Sequence, residues 1–261
     1  MKNVALITGA AGGIGKEFAK IHASRGGDVV AIDLNAEGLK DLQRELSESH
    51  PRSTVYTIPK NLASNSATQE IYEEVTREGI AVDYLINNAG FGGVGKFHER
   101  AWEQDQAMIQ VNVLALASLT RFFLPDFIAR GTGKILNVSS TVRLNPGPMQ
   151  AIYIASKAFV TSFTNSLSGE LLGTGVTATV LLPGATQTGF GAHSGMDKTD
   201  IYKKPASAGD VARDGYQAML AGKLQMISGL PWSQRMTLSL TPLLPKEMVV
   251  NRIRKQQEIN H

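Results

Sequence analysis

The sequence contains no cysteine among its 261 residues. This absence excludes disulfide bonds, zinc–thiolate sites and a cysteine nucleophile. Neither sign of charge dominates, because 26 lysines and arginines oppose 23 aspartates and glutamates and leave a formal charge of +3. So small a surplus, spread along the chain, gives no indication of a nucleic-acid partner. A chain without thiols suits a reducing compartment, and we expect a cytoplasmic protein.

Segments that would direct the chain to a membrane are also missing. No run approaches the roughly 20 apolar residues that span a bilayer. The first residues, Met1 to Val4, lead directly into a predicted strand rather than into a cleavable signal. The five histidines have no metal-ligand spacing, and no H-E-x-x-H motif is present. We therefore expect a soluble chain and predict no metal site.

Short apolar runs rich in Val, Ile and Leu alternate with helical patterns along most of the chain. Strands are predicted at Asn3–Thr8, Asp28–Asp33, Ser53–Ile58, Tyr84–Asn87, Lys134–Ser139, Val176–Leu182 and Gln225–Ile227. Helices are predicted at Ile14–Arg25, Ala36–Glu48, Ala67–Glu78, Glu103–Ala129, Tyr153–Leu172 and Ala208–Leu220. Continuous apolar strands are typical of a parallel sheet that helices cover on both faces.

This alternation predicts a Rossmann-type, doubly wound α/β fold in a single domain. Residues 1–229 are assigned to the α/β part that carries this alternation, and 230–261 to an amphipathic helical C-terminal extension of the same domain. In such sheets the ligand lies beyond the carboxyl ends of the strands, where the strand order reverses. Motifs that directly follow strands are therefore the candidates for a functional site.

A glycine-rich turn joins the first predicted strand to the first helix. Gly9, Gly13 and Gly15 let the backbone approach a pyrophosphate closely, and the helix that begins there directs free N–H groups to the same place. This spacing differs from the commonest dinucleotide fingerprint, G-x-G-x-x-G. A glycine-rich turn alone is weak evidence, because many strand-to-helix turns carry glycines for steric reasons.

Asp33 ends the second predicted strand, near the position where a ribose-binding acid is expected. Its carboxylate would accept hydrogen bonds from the ribose hydroxyls and repel a 2′-phosphate. The alternative is a solvated strand-end carboxylate or a helix cap. No basic residue occurs in Leu34–Leu39, and Gly12 leaves none inside the loop. The sequence therefore favours NAD over NADP.

Several motifs in one order resemble the short-chain dehydrogenase/reductase family, in its compact branch, over Asn3 to Leu220. The family's T-G-x-x-x-G-x-G loop is matched by Thr8 to Gly15, and its N-N-A-G motif by Asn87 to Gly90. Its Y-x-x-x-K motif is matched by Tyr153 to Lys157. The helix asparagine, the strand-end serine and the P-G turn with its following threonine correspond to Asn112, Ser140, Pro183-Gly184 and Thr188.

The resemblance implies an oxidoreductase that acts on CH–OH groups, with Asn112, Ser140, Tyr153 and Lys157 as catalytic residues. It implies cofactor contacts by Thr8, Gly9, Gly13, Ile14, Gly15, Asp33, Asn61, Leu62, Asn88, Ala89, Gly90, Tyr153, Lys157, Pro183, Gly184 and Thr188. The family usually has an aspartate where Asn61 stands. An asparagine oxygen still accepts a hydrogen bond from the adenine amino group. The resemblance also implies a homodimer or homotetramer.

The predicted catalytic residues suit proton transfer beside a hydride transfer. A free tyrosine keeps its proton at neutral pH because its pKa is about 10. Lys157 lies four residues after Tyr153, on the same face of a helix, and a nearby ammonium favours the phenolate. Ser140 would stabilise the charge on the substrate oxygen, and it is chosen over Ser139 because its spacing from Tyr153 matches the family. Asn112, by resemblance, would hold a water beside Lys157; the alternative is that it pairs with backbone.

Loops after the strands are expected to select the substrate. They carry Phe91, Leu144, Met149 and Phe190, with Arg143 as the main charge, which favours an apolar ketone or secondary alcohol. The tail has two amphipathic stretches, one around Leu238, Leu240, Leu243 and Leu244, the other around Met248, Val249, Arg252, Ile253, Arg254 and Lys255. We expect a lid or a subunit interface there, and contact with a membrane surface is the less favoured alternative.

Other functions are weighed against this one. A hydrolase is not favoured, because no G-x-S-x-G motif surrounds Ser140. An enoyl reductase would space its tyrosine and lysine more widely. A dinucleotide-sensing or scaffold protein without turnover would need no proton relay, and it stays open as the alternative because fold alone does not decide function.

Overall fold

A computed structural model describes residues 2–144, 147–195, 205–231, 234 and 245–258. One seven-stranded sheet runs through these residues in the order β3-β2-β1-β4-β5-β6-β7. All its neighbouring strands are parallel. The strands are β1 Val4–Thr8, β2 Asp28–Asp33, β3 Val55–Pro59, β4 Tyr84–Asn87, β5 Gly133–Val138, β6 Val176–Pro183 and β7 Gln225–Ser228. The predicted doubly wound fold is confirmed.

Helices lie on both faces of the sheet. They are α1 Gly13–Ser24, α2 Ala36–Ser49, α3 Ala67–Arg77, α4 Trp102–Ile109, α5 Leu116–Arg130, α6 Ala151–Glu170, α7 Phe190–Ser194, α8 Ala208–Leu220 and α9 Lys246–Glu258. A π-helical segment, Gln110–Ala115, joins α4 to α5, and a short 3₁₀ turn covers Thr141–Leu144. Helix α9 includes the second amphipathic stretch predicted for the tail, whereas Leu238, Leu240, Leu243 and Leu244 lie outside the described residues.

Alternation along the strands divides the core into two layers. Ala5 and Ile7 face a layer that also contains Phe18 of α1 and Tyr216 of α8. Leu6, between them, faces the other layer, which contains Phe123 of α5. Both faces of each central strand are therefore apolar, which explains the continuous apolar runs in the sequence.

Differences from the predicted boundaries have local causes. Strand β3 begins at Val55 rather than at Ser53, because the Ser53 N–H donates to His50 O and its hydroxyl donates to Ala23 O. These bonds hold Ser53 in a turn. The helix predicted at Glu103–Ala129 is interrupted by the π-helical segment, which hydrophobic periodicity does not reveal. Helix α6 begins at Ala151, two residues before its predicted start.

The continuous helical stretch Trp102–Arg130 corrects one reading of the sequence. By length and composition it is apolar enough to cross a membrane, although no segment was expected to be. Its buried side chains Leu119, Phe123 and Phe127 pack into one core layer. Core helices of soluble proteins share this length and composition, so the similarity is weak evidence for a membrane span.

Candidate active site

A cleft of about 800 Å³ opens at the carboxyl edge of the sheet and extends across β1 and β4, between which the strand order reverses. This is where doubly wound sheets bind their ligands. Most residues that the sequence assigned to a site line it: Gly9, Gly13, Ile14, Asp33, Asn61, Leu62, Asn88, Ala89, Gly90, Ser140, Tyr153, Lys157, Pro183, Gly184 and Thr188. Thr8, Gly15 and Asn112 are not part of the lining; the side chains of Thr8 and Asn112 form hydrogen bonds next to it, and Gly15 packs closely against Gly9.

The glycines of the first loop are required by close packing. A Cβ at Gly15 would lie 2.0 Å from the carbonyl oxygen of Gly9. Gly9 itself has φ +67, and Gly13 has φ +53 with the Thr188 side chain 2.9 Å from where its Cβ would be. Side chains at these positions would strain the backbone or displace a neighbour. The loop can therefore lie flat against the cleft only with glycine here.

The start of α1 has the features of an anion site. Gly12 is the N-terminal cap residue of α1, and as a glycine it has no side chain that could form a cap hydrogen bond. A Cβ at Gly12 would meet nothing within 4 Å. Free N–H groups at a helix N-terminus attract phosphate, and the helix dipole adds to that attraction. The space beside these N–H groups is therefore open to a ligand.

Thr8 and Asn88 tie the loop to the end of β4. The Thr8 hydroxyl accepts from the backbone N–H groups of Asn88 and Ala89, both at 3.0 Å. In return the Asn88 amide Nδ2 donates to the carbonyl oxygens of Thr8 and Gly9, at 3.0 and 3.2 Å. These four bonds fix the separation of β1 and β4 at the reversal point, and so they set the shape of the cleft.

Asp33, the last residue of β2, contacts the glycine loop. Its Oδ2 accepts from Ala11 N at 3.0 Å, and its Oδ1 accepts from Asn35 N at 2.9 Å. The helix cap of α2 is Asn35, whose side chain accepts from Gly38 N. Asp33 is therefore not the cap residue of α2, and the cap alternative is wrong. The carboxylate still has lone pairs for ribose hydroxyls, since each of its oxygens accepts more than one bond.

The residues after β3 add a group that the sequence reasoning missed. Asn61 Oδ1 accepts from Ala63 N at 3.0 Å, so the oxygen expected to meet an adenine already holds a turn. Lys60 lines the cleft, and its Nζ donates to Glu70 at 2.9 Å. Pro59 pairs in register with Asp33, which places Lys60 beside the acid. Lys60 follows β3 rather than β2, so its place beside Asp33 depends on the pairing of the two strands.

Ser139 and Ser140 directly follow β5 and both line the cleft, but their hydroxyl groups have different partners. The Ser139 hydroxyl donates to Lys157 O at 2.7 Å and lies 2.8 Å from the Thr161 hydroxyl, so it joins β5 to α6. Among the described residues, the bond that Ser140 Oγ accepts is a long one, 3.3 Å, from Val142 N. In this bond the Ser140 hydroxyl is the acceptor, and a hydroxyl group also has a proton to donate. Ser140 lies in the cleft wall.

Tyr153 and Lys157 stand one turn apart on α6, and both line the cleft with 5% of their surface exposed. Lys157 Nζ donates to Val138 O at 3.0 Å and lies 6.0 Å from the centre of the Tyr153 ring. Burial lowers the pKa of Lys157 from 10.5 to about 8. The structure therefore brings together the phenol and the ammonium that the Y-x-x-x-K spacing placed on one helix face.

Asn112 lies in the π-helical segment behind Tyr153. Its Oδ1 accepts from Phe91 N at 3.1 Å, and its Nδ2 donates to Phe91 O at 2.9 Å and to the Ser156 hydroxyl at 3.1 Å. A Cβ at Gly90 would lie 2.9 Å from Asn112 Oδ1 and 3.2 Å from Lys157 Nζ. The backbone-pairing alternative describes the Asn112 side chain correctly, and its water-holding role stays a prediction.

The cleft around Tyr153 has several apolar side chains. Phe91, Val142 and Phe190 line it, and the Phe190 ring lies 5.6 Å from the Tyr153 ring. Helix α7, which carries Phe190, was not predicted, because five residues are too few for a periodicity signal. Met149 is described but does not line the cleft, whereas the side chains of Arg143 and Leu144 lie outside the described set.

Known proteins resemble this chain in sequence and in fold. A model of the short chain dehydrogenase family matches residues 3–199. A short chain dehydrogenase of Pseudocercospora fijiensis is 35% identical over 190 residues, which are 72% of this chain and 61% of that relative. The matched region thus spans less than two thirds of the relative's own length.

Two solved structures are similar over nearly the whole chain. A short-chain dehydrogenase from Sphingobium yanoikuyae in complex with NADPH has a TM-score of 0.82 and 28% identity, and the match covers 90% of this chain and 91% of that one. A short chain dehydrogenase/reductase from Burkholderia phymatum in complex with NAD has a TM-score of 0.81 and 25% identity, over 92% of each chain.

Proposed function

The chain belongs to the short-chain dehydrogenase family, and we propose that it transfers a hydride between NAD and a ketone or secondary alcohol, with Tyr153 moving the proton. One observation carries this proposal. Tyr153 and Lys157 lie in the wall of the same cleft as the glycine loop at the start of α1. A proton-transfer pair and a pyrophosphate-binding loop in one cleft are what a nicotinamide-dependent oxidoreductase needs.

The described residues fit a dinucleotide. When bound, the oxidised cofactor NAD⁺ would accept a hydride from the alcohol, and the reduced cofactor NADH would supply one to the ketone. The N–H groups at the start of α1 hold the pyrophosphate, and Gly12 leaves the space that it needs. Asp33 binds the ribose hydroxyls. The cleft volume of about 800 Å³ leaves room for a substrate beside the cofactor.

NAD is preferred over NADP in this proposal because of Asp33. A carboxylate beside the ribose repels a 2′-phosphate. Lys60 is the basic residue nearest that position in sheet register, and its charge is paired with Glu70. One similar structure holds NADPH and another holds NAD, so relatives of this fold use both cofactors. The preference of this chain rests on Asp33 and on the pairing of Lys60.

Tyr153 acts as the general acid when a ketone is reduced and as the general base when an alcohol is oxidised. In the first direction the phenol proton goes to the substrate oxygen, and in the second the phenolate takes the hydroxyl proton. The Lys157 ammonium, close to the ring, favours the phenolate form. Because burial lowers the pKa of Lys157 to about 8, this help is present below about pH 8 and declines above it.

Ser140 and Asn112 have different parts. The Ser140 hydroxyl donates to the substrate oxygen and stabilises the charge that develops on it. Asn112 is a positioning residue, since it holds the backbone of Phe91 on one side and Ser156 of α6 on the other. Through these bonds it keeps the substrate wall and the Tyr153 helix at a fixed separation.

The substrate is an apolar ketone or secondary alcohol in this proposal. Phe91, Val142 and Phe190 offer apolar surface around Tyr153. Apolar lining with a few placed polar groups is the common form of small-molecule sites. A sugar or a polyanion would leave polar groups without partners against these side chains.

We further propose that the chain forms a homo-oligomer. Leu114, in the π-helical segment, is 51% exposed, and Phe159 of α6 is 40% exposed. The two elements pack against each other. Exposed apolar side chains on adjacent helices are typical of subunit interfaces. Sedimentation of the purified protein would test this, and a monomer would contradict it.

Calorimetric titration with NADH and NADPH in parallel tests the cofactor assignment. NADH should bind more tightly, and Lys60→Met should leave NADH binding unchanged because Lys60 is paired with Glu70. Tighter NADPH binding would contradict the role given to Asp33. If neither cofactor binds, the hydride-transfer proposal fails and the scaffold alternative replaces it. Reduction of acetophenone with NADH, followed by absorbance, tests the reaction itself.

A further inference from the structure

One buried polar group in the cleft wall has no part in the mechanism. Gln150, the residue before α6, is 5% exposed and lines the same cleft as Tyr153. Its side-chain oxygen Oε1 is buried and has no hydrogen-bond partner among the described residues. A buried polar atom without a partner destabilises the folded protein. Native structures keep such an atom at few positions, and functional sites are prominent among them.

The backbone around Gln150 is fixed by several bonds. Gln150 N donates to Gly147 O at 3.1 Å, and Ile154 N donates to Gln150 O at 3.0 Å. Gly95 N donates to Met149 O at 2.8 Å. Met149 has φ 68, a left-handed conformation that costs a side-chain-bearing residue free energy. The fold therefore places Gln150 firmly, at a local cost.

Gln150 borders two spaces of very different size. Behind it lies a void of about 10 Å³, at the lower limit of what one water molecule needs. Arg100, which borders this void, already bonds Asp105 at 2.8 Å and Val94 O at 3.2 Å. The other space is the cleft of about 800 Å³. A partner of useful size can reach Gln150 only from the cleft.

We propose, resting on the proposed function, that Gln150 binds a hydroxyl or N–H group of the substrate next to the reacting carbonyl. Gln150 is the cap residue of α6, three positions before Tyr153, and both residues line the same cleft. The terminal torsion of a glutamine is broad and roughly two-fold, so rotation about it exchanges the positions of Oε1 and the amide nitrogen. The preferred substrates are therefore α-hydroxy ketones and the corresponding vicinal diols, with an apolar remainder.

A pair of ketones and a pair of variants test this inference. α-Hydroxyacetophenone and acetophenone differ by the one hydroxyl group that Gln150 would bind. Gln150→Met removes the amide with little change in volume, and Gln69→Met on α3 is the matched control outside the cleft. Wild-type enzyme should prefer α-hydroxyacetophenone. Gln150→Met should raise KM for that ketone by about three- to tenfold, the effect of one neutral hydrogen bond, and leave KM for acetophenone and both kcat values unchanged.

A structural role for Gln150 predicts something else. Loss of a structural contact would change the kinetics of both ketones together and lower the melting temperature. The present inference expects a melting temperature that is unchanged or higher, because the variant buries no unpartnered oxygen. Equal effects on the two ketones, or no effect on either, would overturn it.

The outcome is separate from that of the proposed function. If the wild-type enzyme reduces neither ketone with NADH or NADPH, the hydride-transfer proposal fails on that result alone. Binding of phenylethanediol and of phenylethanol to the wild-type and Gln150→Met proteins, measured by calorimetry, then decides the role of Gln150 without turnover. Selective loss of the diol in the variant supports the inference, and equal binding of the two alcohols by the wild-type protein contradicts it.

Discussion

The two edges of the sheet bury polar groups in opposite ways. At the amino edge, His22 Nδ1 and the Tyr216 hydroxyl lie 2.7 Å apart, and His22 Nε2 lies 3.0 Å from Asn3 O. Tyr84 packs edge-on against His22, and the Arg25 guanidinium lies over the Tyr216 ring. Both ring nitrogens of the histidine have partners, so this cluster is closed.

At the carboxyl edge, several buried polar groups have incomplete hydrogen bonding or no opposite charge beside them. Lys157 is buried beside a phenol rather than beside a carboxylate, Ser140 accepts one long bond, and Gln150 Oε1 has no partner among the described residues. Groups that are saturated within the fold stabilise it, whereas groups left under-satisfied are available to a ligand. The difference teaches that a buried polar residue in the wall of a cleft is a stronger candidate for ligand binding when its bonding capacity is incomplete.

The largest expected effect separates activity from stability at the carboxyl edge. Tyr153→Phe should lower kcat by about 10²–10⁴-fold, because general acid–base help of that size is lost. Cofactor affinity and melting temperature should stay near the wild-type values. Steady-state kinetics beside calorimetry measures both. An active Tyr153→Phe enzyme would remove Tyr153 from the mechanism.

Two glycine variants separate stability from cofactor binding at the carboxyl edge. Gly15→Ala should destabilise the protein by about 1–3 kcal/mol, as overpacking does, because its Cβ would meet Gly9 O at 2.0 Å. Gly12→Ala should leave stability unchanged, since its Cβ meets nothing within 4 Å. It should still weaken NADH binding, because that open space is assigned to the pyrophosphate. Urea unfolding and NADH titration give the two readings, and tight NADH binding by Gly12→Ala would displace the pyrophosphate from this position.

At the amino edge the expected effects are reversed. Tyr216→Phe leaves the buried His22 Nδ1 without its partner and should lower the free energy of unfolding by about 1–3 kcal/mol. The kinetic constants should not change, because the cluster lies at the edge opposite the cleft. Urea denaturation and steady-state kinetics on the same sample test this. A large fall in kcat would show that the two edges are coupled.

The smallest effect is a pH dependence. Burial, more than any other cause, lowers the pKa of His22 below its ordinary value of 6.5. The folded protein therefore favours neutral His22, and this stability is present above about pH 6.5 and declines as the pH falls toward the lowered pKa. The decline is at most about 1.4 kcal/mol per pH unit. Unfolding of the wild-type protein and His22→Gln should diverge in that range, and parallel curves would contradict the assignment.

The fold could be predicted from the sequence because its signals are local. Apolar runs such as Asp28–Asp33 and Tyr84–Asn87 coincide with β2 and β4, and the predicted helix Ala208–Leu220 coincides with α8. A strand covered on both faces needs only apolar residues in a row, and a single sequence shows that. Neighbours in the sheet follow from the alternation of strands and helices.

The bracing and recognition contacts could not be predicted, because they join residues distant in sequence. Asn112 meets the backbone of Phe91 only because of the π-helical segment, which no periodicity announces. Lys60 lies beside Asp33 through the pairing of β2 with β3. Gln150 is a candidate because its side-chain oxygen has no hydrogen-bond partner among the described residues, and a sequence alone does not show an unpartnered atom.

The contacts of the glycine loop also bear on the order in which the protein matures. Gly9 is held by Asn88 from the end of β4, and the side chain of Thr188 covers Gly13. The ribosome must therefore synthesise the chain as far as Thr188 before the glycine loop can make all of these contacts. Contacts so far apart in sequence form late and slowly during folding. Retention of a nascent chain on an immobilised dinucleotide would thus report a finished fold, although the loop itself is among the first residues made.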